Sequence, residues 1–158
     1  MPASHQVRWL CKNDTDAVLR IDADAFGGER LTEDSLTAVL QQPRTHSLVA
    51  IDETHAVIGF MIYTYTSKSV ALVTRIAVAS GKRKQGVGSA LMQHLLGKLL
   101  YKDDARVSTY VMENMSEAID WFRRQGFKVW GLTPGEQPEN GQDVYYLGRN
   151  VDGICEAV

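Results

Sequence analysis

Residues 71–101 read ALVTRIAVASGKRKQGVGSALMQHLLGKLLY, and this stretch decides the fold. Ala71 to Ala79 is an apolar alternating run, the pattern of a strand. From Val87 onward, Val87, Ala90, Leu91, Leu95 and Leu99 recur at helical spacing and form one stripe, as in a helix lying on a sheet. Gln93, Lys98 and Lys102 fall on its polar face. Between strand and helix stands R-K-Q-G-V-G, residues 83–88. Gly86 and Gly88 have no Cβ, so the backbone can turn tightly and a bulky anion can approach its N–H groups. The first turn of the following helix has N–H groups without intrahelical partners and the positive end of the helix dipole. Lys82, Arg83 and Lys84 add cations at the mouth. The junction reads as a site for a pyrophosphate; standing alone, it would read as a solvated basic turn.

Two other phosphate loops are excluded by position. A dinucleotide fingerprint needs a third glycine where Leu91 stands. Gly81 and Gly86 have the spacing of a Walker A loop, but Val87 and Gly88 occupy the places of its Lys and its Ser or Thr, which argues against a nucleotide triphosphatase.

The chain has 158 residues, 44% of them hydrophobic, enough for one domain with a single substantial core. A formal net charge of −2 gives no overall basic field for nucleic acid; the cationic patch is local to the loop. Cys11 and Cys155 show neither a disulfide framework nor a zinc spacing, and His5, His46, His55 and His94 are scattered, so no metal site is expected. The start, M-P-A-S-H-Q-V-R, lacks the apolar core of a signal peptide, and no run is long enough to span a bilayer. A reducing, cytoplasmic setting is expected.

Along the chain, Val7–Leu10 reads as a strand, followed by a helix capped by Asn13 or Asp14 and ended by Gly27-Gly28. Thr32, three before Ser35, opens a second helix that Pro43 closes. Ser47–Ile51 and Ala56–Thr66 are strands that form a three-stranded meander with the run at Ala71. Arg106–Met112 is a strand, Glu117–Gln125 a helix stopped by Gly126, and Phe127–Trp130 another strand. A long Gly/Pro-rich connection, Gly131–Gln142, precedes the last strand, Asp143–Gly148.

Arg83, Gly86 and Gly88 fill the three fixed places of the pattern R/Q-x-x-G-x-G/A. The segment V-M-E-N-M-S-E-A-I-D-W-F-R-R-Q-G-F at Val111–Phe127 is similar to V-R-E-x-N-x-x-A-I-x-x-Y-x-x-x-G-F. Together with the strand ending Arg75-Ile76-Ala77-Val78, these motifs resemble the GCN5-related N-acetyltransferases (GNAT), and the second resembles the RimI-like N-terminal alanine acetyltransferases. The resemblance covers roughly residues 48–149. It implies an α/β (α+β) fold, a mixed and mostly antiparallel sheet of about six to seven strands with helices on both faces. A single domain over residues 1–149 and a tail at 150–158 are expected.

The same resemblance implies acetyl-CoA as cofactor. Ile76, Ala77 and Val78 would pair their backbone with the pantetheine amides as though the cofactor were another strand, the sheet splaying there through a bulge. The Val78 N–H would donate to the thioester oxygen, where charge builds. Arg83, Lys84, Gln85, Gly86, Val87, Gly88 and Ser89 would hold the pyrophosphate. Glu113 aligns with the acidic residue that serves as base in RimI-like enzymes. Two positions depart from the family. Met115 stands where an Asn contacts the cofactor, with Asn114 one residue away as its replacement, and Phe122 stands where a Tyr protonates the leaving thiolate. Tyr110, Tyr145 and Tyr146 are candidate replacements for that acid, and Tyr145 is the one assigned.

On the acceptor side, Tyr63, Tyr65, Phe26–Arg30 and Gly131–Gln142 correspond to regions that line the groove in relatives, while Arg75 is expected to pair with a neighbouring acid. The activity implied is transfer of an acetyl group to a primary amine, with a protein N-terminal α-amine as the leading acceptor. An α-amine of pKa 7.7–8.0 is easier to deprotonate at neutral pH than lysine at 10.4, by about 3.5 kcal/mol. A small-molecule amine acetyltransferase and a non-catalytic acyl-CoA-binding domain are the alternatives. Acetyl-CoA and the amine acceptor are the expected partners, with no nucleic acid and no membrane.

Overall fold

The computed structural model describes residues 5–133 and 143–151. In chain order the elements are β1 (Gln6–Trp9), α1 (Thr15–Phe26), α2 (Glu33–Leu40), β2 (Thr45–Ile51), β3 (Val57–Ser67), β4 (Val70–Val78), α3 (Val87–Leu99), β5 (Arg106–Met112), α4 (Ser116–Arg124), β6 (Lys128–Thr133) and β7 (Val144–Asn150). The strands hydrogen-bond in the order β1-β2-β3-β4-β5-β7-β6. β4 and β5 run parallel, whereas β1–β2, β2–β3, β5–β7 and β6–β7 are antiparallel. This is the mixed, mostly antiparallel sheet that the sequence implies. The described residues pack as two compact units, one up to Thr64 together with Thr74–Gly97, the other Tyr65–Val73 together with the chain from Lys98 onward.

In the first unit, Val18 and Ile21 of α1 and Leu36 of α2 are buried against Val49 and Ile51 of β2, Phe60 and Ile62 of β3, and Ala77 of β4. Because side chains alternate along a strand, Gly59 lies on the opposite face of β3 from Phe60, and α3 approaches on that face. A Cβ at Gly59 would stand 2.9 Å from Val87 Cγ1 and 3.2 Å from the Ala77 carbonyl oxygen, so only glycine admits the helix this closely. Helices therefore occupy both faces of β3. The stripe predicted for α3 is buried at Val87, Leu91, Leu95 and Leu99, with Met92 and Leu96 beside it.

The helix caps follow local chemistry. Thr32 Oγ1 accepts the Ser35 N–H and Ser35 Oγ accepts the Thr32 N–H, the reciprocal box that starts α2. Asp14, by contrast, does not cap α1 through its side chain. Its carboxylate takes two hydrogen bonds from Arg8 (2.7 and 3.0 Å) and one from the Cys11 N–H (2.7 Å). The Arg8 hydrogen bond is the main cause that holds the Asp14 carboxyl below its ordinary pKa; burial opposes it and the Cys11 N–H adds to it.

In the second unit β5 pairs with β7 along its full length, from Arg106↔Asn150 to Met112↔Val144. Phe122 of α4 is buried, with its ring 5.0 Å from Trp121 and 5.1 Å from Phe127, both edge-on. Gly126, at φ +91, ends the helix turn, and Arg149 Nη1 donates to the Gln125 carbonyl (2.7 Å). The connection expected from Gly131 starts later, because β6 continues to Thr133 through a register shift between Val129 and Gly131. A glycine beside a bulge reads as a break in sequence although the ladder goes on. Residues 134–142 of that connection lie outside the described residues. β7 runs through Asn150, and the Val151 N–H bonds to the Ala105 carbonyl (2.8 Å); residues 152–158 lie outside the described residues.

Two predictions follow from this packing. Gly59→Ala should lower the unfolding free energy by about 1–3 kcal/mol through overpacking, whereas Gly97→Ala, on an exposed part of α3 with no atom within 4 Å of its Cβ position, should raise it by about 0.5–1 kcal/mol. Equal effects of the two in urea titrations would contradict the close approach of α3. Since the folded Asp14 carboxyl is depressed, its stabilising contribution is complete above the unfolded-state pKa near 3.8 and declines as pH falls toward the lower folded value. An Asp14→Asn variant should show a shallower loss of melting temperature across that acid window than the wild type.

Candidate active site

In the first unit the site begins at the end of β4. The parallel ladder with β5 covers Val70–Val73 against Arg106–Thr109, and β4 continues through Thr74–Val78 beyond it. Among the described residues, these five have no ladder partner on that edge. Ile76 and Val78 are half-buried, and Ala77 is buried on the α1/α2 side. The Ala79 N–H returns to the Ile58 carbonyl on β3 (2.9 Å).

A short 3-10 turn, Ser80–Lys82, leads into the glycine loop. Lys84 (φ +63) and Gly86 (φ +83) both take left-handed backbone conformations on either side of Gln85. A side chain at position 86 would meet no atom within 4 Å, so what selects glycine there is backbone conformation, not space. The loop is tied inward by polar contacts. Gln85 Nε2 donates to the Gly81 carbonyl (3.3 Å), His5 Nε2 meets the Gln85 carbonyl (2.9 Å), and the Gly86 carbonyl accepts the Ala90 N–H (2.9 Å). That last bond is the first of α3, so the Val87 and Gly88 amides stand ahead of the helix's internal ladder. Val87 and Gly88 are buried beneath the loop and Ser89 is half-buried.

Arg83 is held where sequence reasoning did not place it. Its Nε donates to the Val78 carbonyl (3.2 Å), and its Nη2 lies 3.5 Å from Asp24 Oδ2 on α1. Lys84 is exposed. Asp24 is the acid paired with Arg83, and both partners of that pair are about half exposed. The expectation for Arg75 is met: it pairs with Asp22, through Nε to Oδ1 at 2.6 Å.

In the second unit, Glu113 and Asn114 form the exposed turn between β5 and α4. The Glu113 N–H bonds to the Asp143 carbonyl (3.0 Å), extending the β5–β7 ladder by one step beyond Met112↔Val144. Tyr145 sits opposite Val111, so Glu113 and Tyr145 occupy the same face of adjacent strands, two positions apart. Asp143, a second carboxylate beside Glu113 in this ladder, was not singled out by motif; only the cross-strand register reveals it. Asn114 is exposed, as is Met115, whose N–H bonds to the Met112 carbonyl (3.0 Å) and whose carbonyl accepts from Ile119. Phe122 is a packing residue in the α4 core. Tyr110 and Tyr146 form a ring pair at 4.9 Å, extended by Trp130 at 5.8 Å from Tyr146. Among the described residues no group of three His, Cys, Asp or Glu is placed to hold a metal, and no helix is long and apolar enough to cross a membrane.

A solved structure of Ard1 from Thermoplasma volcanium superposes with a TM-score of 0.79 at 23% identity, covering 94% of this chain and 98% of that one. The ribosomal-protein-S18-alanine N-acetyltransferase of Escherichia coli gives 0.78 at 19% identity, covering 94% of each chain. A GNAT superfamily phosphinothricin acetyltransferase from Sinorhizobium meliloti, solved in complex with AcCoA, gives 0.75 at 16% identity, covering 96% and 90%. At these identities the likeness concerns the fold. A sequence search of curated proteins finds no match. The family described as "Acetyltransferase (GNAT) domain" matches residues 43–129, more than half of the chain and the whole run from β2 through α4 into β6. The chain thus belongs to the GNAT acetyltransferase family, whose members are acetyl-CoA-dependent N-acetyltransferases.

Proposed function

We propose that this enzyme acetylates a primary amine, with a protein N-terminal α-amine as its acceptor, and that Ile76–Val78 and the loop Arg83–Ser89 hold acetyl-CoA. The single observation that carries the reading is the run Thr74–Val78, a strand edge beyond its ladder, which leads directly into a loop with two left-handed residues and the first turn of α3. The chemistry of these groups fits the cofactor. A strand edge offers N–H and C=O groups to an amide-bearing chain, and the loop offers cations and helix amides to a pyrophosphate. Arg83 reaches an anion by exchanging Asp24 for it.

Acetyl-CoA supplies an activated thioester when bound. The Val78 N–H would donate to the thioester oxygen as charge develops there, a kind of donor whose loss elsewhere costs roughly 10²–10³ in rate. Glu113 takes the proton of the attacking amine, and its exposed position suits an α-amine that is already partly neutral at pH 7. Tyr145 would return a proton to the sulfur as it leaves. With a thiol pKa near 8.5, that step needs only partial assistance, which is how a buried Phe at position 122 is tolerated. Asn114, on the turn that follows β5, is the residue that would take the place of the cofactor-contacting Asn of the motif. The likeness to the S18-alanine and Ard1 enzymes and the Val111–Phe127 motif support a peptide α-amine. The comparable likeness to a phosphinothricin acetyltransferase makes a small amine the competing acceptor.

Thiol release from acetyl-CoA, measured with N-terminal peptides, lysine peptides and small amines, tests the proposal. Fastest turnover is expected with an N-terminal peptide. Turnover confined to small amines would move the acceptor assignment, and binding of acetyl-CoA without turnover of any amine would overturn the enzyme. Gly86→Asp, which strains the loop and adds an anion to it, should weaken acetyl-CoA binding about tenfold or more. Glu113→Gln and Tyr145→Phe should each lower kcat by about 10²-fold while leaving the acetyl-CoA Kd within about twofold. An unchanged Kd in the loop variant would remove the cofactor assignment.

A further inference from the structure

The connection between α1 and α2 is a single 3-10 turn, Gly27–Glu29, closed by the Arg30 N–H on the Gly27 carbonyl (3.1 Å). Gly27 and Gly28 are adjacent, a Cβ at either would meet no atom within 4 Å, and Gly27 sits at φ +55. Gly27, Gly28, Glu29 and Arg30 are all exposed. Both ends of this connection are nevertheless fastened to one ion pair. Arg75 on β4 donates from Nε to Asp22 Oδ1 (2.6 Å) and from Nη2 to Asp22 Oδ2 (3.1 Å). The same Nη2 donates to the Glu29 carbonyl (2.7 Å), and the guanidinium lies over the Phe26 ring, with Cζ 4.1 Å from its centre. Asp22 is fully buried on α1, and its Oδ2 also accepts the Leu31 N–H.

A pair that served only to join α1 to β4 would need no bonds to the connection. Here Arg75 gives a donor to Glu29 and Asp22 gives an acceptor to Leu31, so the segment from Phe26 to Leu31 is gripped at both ends. Arg75 also stands immediately before Ile76–Val78, the strand edge assigned to the cofactor. Only a planar fork satisfies Asp22 and Glu29 together; a lysine ammonium is a single point of charge.

We infer that Arg75 and Asp22 are positioning residues for the acceptor: they hold Phe26–Leu31 beside the end of β4 as a wall that orients the incoming amine. The inference rests on the cofactor and acceptor reading above. It assigns acceptor affinity to an ion pair between a partly exposed arginine and a buried carboxylate.

The test is Arg75→Lys, with Phe26→Leu as a second variant that loosens the same grip while leaving the ion pair in place. Three readouts are taken on the full chain: hydrogen exchange of the Gly27–Leu31 amides, the acetyl-CoA Kd, and KM with kcat for the amine that wild type turns over fastest. In Arg75→Lys, exchange of those amides should accelerate about tenfold and KM should rise about tenfold, with kcat and the acetyl-CoA Kd within about twofold. Phe26→Leu should move the same two quantities in the same direction. Unchanged exchange in both variants overturns the clamp. Accelerated exchange with unchanged KM overturns its role toward the acceptor. A wild-type protein that turns over no amine sinks the proposed function together with this acceptor role, whereas unchanged KM in variants of an active enzyme sinks this inference alone.

Discussion

The position of the first unit's chemistry depends on the contact of α3 with β3 at Gly59. The space a Cβ would occupy there is bounded by Val87, the first residue of α3, and by the carbonyl of Ala77, inside the strand edge assigned to the cofactor. One missing methyl group therefore fixes the separation between the start of α3 and the end of β4, ten residues apart in sequence. Protein interiors are close-packed, so such a gap cannot widen or narrow without repacking Leu91 and its neighbours. The glycines of the loop give it conformational freedom; the glycine beneath it takes freedom away from the helix that the loop feeds.

Buried Asp22 adds a constraint of a different kind. A carboxylate removed from water is destabilising unless charge and hydrogen bonds compensate it. Arg75 and the Leu31 amide supply both. Two residues further along α1, Asp24 faces Arg83 in the glycine loop. The last turns of one helix thus carry two carboxylates in contrasting settings, one buried against Arg75 and the other half exposed beside Arg83.

Much of this was legible in the sequence wherever the signal is local and periodic. The alternation of residues 71–79, the apolar stripe of α3 and the box at Thr32 and Ser35 each state their structure within a few residues. The R-K-Q-G-V-G loop was legible because two glycines and three cations are adjacent in the chain. What escaped is non-local. Asp22 and Arg75 are 53 residues apart, and neither lies in a motif that names its partner. Asp143 joins the neighbourhood of Glu113 only through strand register. β6 was cut short because the irregularity between Val129 and Gly131 removes the alternation that marks a strand. Phe122 looked like a missing acid from the motif alone, and its contacts with Trp121 and Phe127 give it a reason of its own.

That same irregularity in β6 affects how the edge of the sheet could pair with another strand. β6 and β1 are the two outer strands of the sheet, and an outer strand exposes unpaired backbone groups that invite another chain to add on. β1 is only four residues long, which limits any such pairing. β6 is longer and displays Val129 and Leu132 to solvent, but its register breaks in the middle, and the Trp130 ring lies across Gly148, so closely that no Cβ could stand there. A register break of this kind makes the outer edge of β6 a less regular template for another strand than an unbroken ladder would be.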